Sequence, residues 1–176
     1  MHALLQLPIV HGKRNTMENI SKIRALFHGI PNHFNAISAI SFALADTLEN
    51  QDFSKLDAQN ASDIYLRAKN EIDAIEESYL LSCSDIKKLS RIVYEELDLK
   101  KETLDDFKKI KTLLDVIDRN LKASQKLLRV SGGKDADSML SLTKELYSFE
   151  ESCINLGSLV RKIKYILISS DLYEIR

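Results

Sequence analysis

Four runs of apolar residues, spaced alternately three and four apart, leave this chain little choice of fold. The first run is Ile20, Ile23, Phe27, Ile30, Phe34, Ile37, Leu44 and Leu48, with Ser41 at the one skipped position. The second is Tyr65, Ala68, Ile72, Ile75, Tyr79, Ser82, Ile86, Leu89 and Val93. Phe107, Ile110, Leu114, Ile117, Leu121 and Leu128 form the third, with Ser124 in register, and Met139, Leu142, Leu146, Phe149, Cys153, Leu156, Val160, Ile163 and Leu167 the fourth. Heptad spacing puts each run on one stripe of a helix, and such a stripe must be covered by other helices. Only 5 Gly and 2 Pro occur in 176 residues, too few turn signals for a protein of many short strands. The expected fold is all-α, an up-down-up-down four-helix bundle with long heptad-patterned helices.

The expected boundaries follow from caps and breakers. Residues 1–16 contain Pro8 and Gly12 without a sustained period and read as irregular, with Asn15 or Thr16 capping the first helix. The bundle then covers 17–176, as a first hairpin over 17–97 and a second over 98–176. Helix one runs to Glu49 with a kink expected at Pro31, which lacks a backbone donor and crowds the Phe27 carbonyl. After a polar turn with Ser54 or Asp57 as cap, helix two extends from Leu56 to Leu97, about 60 Å at the helical rise. The small residues Ser82, Cys83 and Ser84 mark a bend in it. Thr103, followed by Asp105 and Asp106, signals the start of helix three, and Gly132 and Gly133 suit a left-handed cap at its end. Asp135 or Asp137 opens helix four.

Composition narrows the function. A net charge of −1 with 29% charged residues gives no electrostatic reason for nucleic acid or an anionic membrane as partner. No stretch approaches the roughly 18 apolar residues that span a bilayer. Met1–Val10 lacks the basic start and cleavage site of an export signal. Cys83 and Cys153 have no metal-type spacing and read as reduced thiols, so a cytoplasmic protein is expected. None of His2, His11, His28 and His33 belongs to a Glu-x-x-His pair, and no metal site is expected. Gly132-Gly133-Lys134 is a turn between helices and not a phosphate loop, and no Gly-x-Ser-x-Gly elbow occurs. No cofactor is expected.

One stretch combines an apolar seam with groups able to do chemistry. His28 lies at the edge of the first stripe, and Asn32 and Asn35 follow at i+4 and i+7, all on one side of the helix. Gly29 and Pro31 bracket the turn after the histidine and together cost the helix roughly 4 kcal/mol relative to alanines. That cost needs a reason in packing or function. An imidazole is a competent nucleophile near neutral pH, so His28 is a candidate phosphoryl acceptor. Asn32 is placed to steady phosphoryl oxygens or orient a water. A lone histidine beside a bundle seam is more often a boundary residue, and His33 reads as exposed or bonded to its own helix.

The run His28-Gly29-Ile30-Pro31-Asn32-His33-Phe34-Asn35-Ala36-Ile37 resembles the H-box of the dimerisation and histidine-phosphotransfer domain of two-component sensor histidine kinases. That pattern is His, an acidic residue, an apolar residue, a variable residue, Asn or Thr, usually Pro, Leu or Phe, Asn or Thr, a small residue and Ile. It is met at His28, Ile30, Asn32, Phe34, Asn35, Ala36 and Ile37. Leu89-Ser90-Arg91-Ile92 is weakly similar to the end of the second helix in such hairpins, and the likeness spans Ile20 to Leu97. Two departures stand out. The acidic residue is Gly29, and Pro31 stands two places early, with His33 at the usual proline position.

The resemblance implies a protein of a two-component signalling pathway that exchanges a phosphoryl group on catalytic His28, assisted by Asn32, with a response-regulator receiver domain. Nothing after Leu97 is similar to the family's ATP-binding domain, so autokinase activity is not expected. Such hairpins usually pair between two chains. Either this chain forms a homodimer, or its second hairpin replaces the partner and leaves one histidine per bundle. The alternative is a non-catalytic helical bundle serving as a protein-interaction or scaffold module.

Overall fold

The computed structural model describes residues 7–96, 101–132 and 136–169. Within them the chain forms α1 (Leu7–Glu49), a 3₁₀ turn (Phe53–Lys55), α2 (Ala58–Glu96), α3 (Lys101–Ser131) and α4 (Ala136–Ser169). Each helix packs on its neighbour in sequence, and α4 returns to pack on α1, closing an up-down-up-down ring. The α2–α3 pair meets least closely. No helix among the described residues is long and apolar enough to cross a membrane.

The heptad stripes supply the core. Ile30, Ile37, Ile75, Ile117, Leu142, Leu146, Phe149, Leu156 and Ile163 are fully buried, and Phe27 and Phe34 nearly so. Burial of such side chains contributes roughly 1.5–3 kcal/mol each, which outweighs the weak intrinsic stability of any single helix. The serines in the seams are buried too: Ser41, Ser82 and Ser124 have no exposed surface. Ser82 and Ser124 donate to carbonyls of their own helices, Tyr79 at 2.7 Å and Asn120 at 2.8 Å, and thereby remain satisfied without a partner across the core.

The helix ends correct several expectations. α1 begins at Leu7, so neither Asn15 nor Thr16 is its cap, and only residues 1–6 of the expected irregular segment lie outside the described residues. Pro8 is compatible with this early start, because the first turn of a helix has no acceptor for the missing N–H. The expected kink at Pro31 and bend at Ser82–Ser84 do not interrupt their helices: α1 and α2 each carry those residues inside one helix. Asp57, not Ser54, caps α2: its carboxylate accepts the Asn60 N–H at 2.8 Å. α3 starts at Lys101, which places Thr103 inside the first turn, buried, where it cannot cap. Thr103 and Asp106 are three apart and share the inward face, so packing sets that end. Gly132 closes α3 in the left-handed region (φ 53°) and donates its N–H to the Leu128 carbonyl at 3.1 Å. Asp137 lies in the first turn of α4. The expected boundary residues Leu97, Asp98, Gly133 and Asp135 lie outside the described residues.

Candidate functional site

His28, Asn32 and Asn35 all stand exposed on the outer face of α1. Their spacing of four and three brings them onto successive turns of one side. Behind them Phe27, Ile30, Phe34 and Ile37 are held in the core, so the backbone that carries the imidazole is fixed by packing. No side-chain hydrogen bond or ion pair engages His28 or Asn32 among the described residues. The imidazole is therefore open to an incoming partner, with an amide one turn further along.

His33 does something else. Its Nε2 lies 3.0 Å from Asp85 Oδ2 on α2, with both side chains 22% exposed. Lys88 Nζ approaches the other oxygen of Asp85 at 3.5 Å. Five residues separate His33 from His28, about 140° around the helix, so the pair does not join the His28 face. It pins α1 to α2 from the flank. The same carboxylate fills the space beside Gly29, where a Cβ would meet Asp85 Oδ2 at 3.3 Å. Position 29 thus carries no acidic side chain of its own, and a carboxylate from the next helix stands beside it.

Sequence reasoning missed Asp85. Its neighbour at 86 belongs to the seam, so Asp85 had to sit at the stripe's border, and that was the available signal. Which residue it meets depends on how α1 and α2 are staggered, and heptad spacing leaves that free.

Below this pair the same two helices leave a cavity of about 530 Å³, lined by Lys22, Ala25 and Leu26 of α1 and Lys88, Arg91 and Ile92 of α2. Other reactive side chains are quiet. Burial pushes the Cys153 thiol up to about 12, and burial also raises Cys83. Neither is a thiolate near neutral pH. The Tyr79 hydroxyl is raised by burial and by its hydrogen bond with Cys83. Among the described residues no three His, Cys, Asp or Glu side chains converge to hold a metal ion.

Comparison with known proteins adds no relative to this geometry: no family model, no curated protein and no solved structure matches the chain.

Proposed function

We propose that this protein is a histidine-phosphotransfer-like component of a two-component pathway, exchanging a phosphoryl group on His28 with a response-regulator receiver domain. The observation that carries this reading is the exposed imidazole of His28, backed by a packed seam and followed on the same face by Asn32 and Asn35. A receiver domain brings the phosphoryl group as an aspartyl phosphate, together with its own divalent cation. A ring nitrogen of His28 attacks phosphorus as the acyl phosphate P–O bond breaks. An N–P bond forms, the carboxylate departs, and the ring's other nitrogen releases its proton to solvent. The Asn32 amide donates to the phosphoryl oxygens as charge builds on them. Such chemistry belongs in the cytoplasm, where receiver domains work.

The test is incubation with phosphorylated receiver domains and with phosphoramidate, followed by assay of acid-labile phosphate on wild type and His28→Gln. Label on the wild type alone is expected. Equal label on both proteins, or none from any donor, overturns the reading.

One observation favours the interaction-module alternative. Phe42, two heptads beyond His28 on the same face, is 52% exposed. A partner that docks along the His28 face would cover Phe42 with or without chemistry at His28. Binding lost in Phe42→Ala but unchanged in His28→Gln, without phosphate label, would single out that alternative.

A further inference from the structure

The cavity between α1 and α2 opens on the His33 flank of α1, with Ala25 one turn below His28, and its lining contains none of the residues assigned to phosphoryl transfer. Its lining divides into two kinds of group. Ala25, Leu26 and Ile92 give it apolar walls, while Lys22, Lys88 and Arg91 bring three cations to it from two different helices. A volume of about 530 Å³ falls within the range of small-molecule sites.

The three cations are lightly held. Lys22 pairs with Glu18 at 3.0 Å and Arg91 with Glu95 at 3.1 Å, each within one helix and at the surface. Such exposed pairs contribute little and break readily. Lys88 approaches Asp85 only at 3.5 Å, and that carboxylate is already engaged by His33 at 3.0 Å. An anionic group entering the cavity therefore meets donors that turn toward it at small expense. The walls ask for something apolar behind that group.

We propose that the α1–α2 cavity binds a small soluble amphipathic anion: one carboxylate or phosphate head taken by Lys22, Lys88 and Arg91, with an apolar body lying on Leu26, Ala25 and Ile92. The carboxylates around the rim decide between a dissolved ligand and a lipid surface. Glu18, Asp85 and Glu95 each pair with one of the cations, which lowers the net charge this surface offers to a broad anionic membrane while the pairs open readily to a single head. The inference is independent of phosphoryl transfer on His28.

Isothermal titration with decyl phosphate and with decanoate, both as monomers in solution, tests it on the full chain. Saturable binding of at least one is expected, with no saturation by inorganic phosphate, which lacks the apolar body. The double variant Lys88→Gln/Arg91→Gln, altered at exposed side chains, should keep its helical circular dichroism and bind about tenfold or more weakly. Ala25→Glu, which puts a like charge on the exposed part of the wall, should abolish binding. Absence of binding by both monomers, equal binding by the variants, or binding only to vesicles containing phosphatidic acid overturns the proposal.

Discussion

Asp85 and Asp106 each tie one helix of a hairpin to the other, in opposite surroundings. Asp106 on α3 is buried, its side chain 3% exposed, with Lys162 Nζ of α4 at 2.8 Å and Lys109 Nζ at 3.4 Å. Asp85 on α2 is half-wet and meets an imidazole. A carboxylate withdrawn from water needs cations that stay charged, and two lysines reach in from exposed positions to supply them. A carboxylate at the rim keeps part of its hydration and can do with a single polar partner, here the His33 ring at 3.0 Å. The second hairpin is therefore locked by a permanent ion pair. The first, which carries His28, is closed by a weaker tie beside an open cavity. The two hairpins pack along equally buried seams and differ in the kind of tie that joins their flanks.

The largest expected effect comes from removing the buried tie. Breaking a buried ion pair destabilises strongly, but both lysine heads can swing back into water, so Asp106→Ala should lose about 3 kcal/mol, the lower end of that range. Urea midpoints at unchanged slope would measure it. The hydrogen bond from Lys162, followed by its charge and that of Lys109, holds the Asp106 carboxyl below its ordinary 3.8 against the opposing effect of burial. With the folded-state value depressed, the unfolded chain binds the extra proton first. The stabilisation is thus fully present above about pH 4 and fades as pH falls through the lower folded value. Asp106→Asn should flatten the acid limb of the stability curve, and an unchanged limb would contradict the assignment.

The corresponding change in the first hairpin should be smaller. His33→Ala removes a half-exposed interhelical pair and should lower stability by about 1 kcal/mol at neutral pH. A loss as large as that of Asp106→Ala would erase the contrast between the hairpins. Smaller again is Gly29→Ala. An alanine in mid-helix gains up to about 1 kcal/mol over glycine, but its Cβ meets Asp85 Oδ2 at 3.3 Å. Held by His33, that oxygen gives way poorly, so the wild-type background should show only part of the gain. In His33→Ala the carboxylate is released and the gain should approach its full value. A double-mutant cycle reads this coupling directly, and additivity would place Asp85 elsewhere.

Much of the architecture was legible in the spacing of apolar residues. Every seam position from Ile23 to Leu48 is buried, including Ser41 at the skipped one. The exposed row of His28, Asn32 and Asn35 followed from the same helical geometry. Expectations built on single residues fared less well. Thr103 has the chemistry of a cap but its burial decided its place, and Pro8 looked like a breaker although the first turn of a helix tolerates it, while Gly12 is carried inside α1. The partnership of His33 with Asp85 lay beyond reach because residues 52 apart meet only when two helices take a particular stagger. That stagger is set by how whole side chains interlock, and periodicity records only which ones face inward.

The packing of α4 on α1 has a consequence for how the protein is made. Helices leave the ribosome in order, so the last to appear is the one that finishes covering the first. At roughly 5–20 residues per second, the interval between emergence of Glu49 and of Leu167 is on the order of ten seconds. For that time the apolar flank of α1 destined for α4 has only the nascent chain, or a chaperone, to shield it. The histidine-bearing helix is thus the first of these four to be synthesised and the last of them to be enclosed.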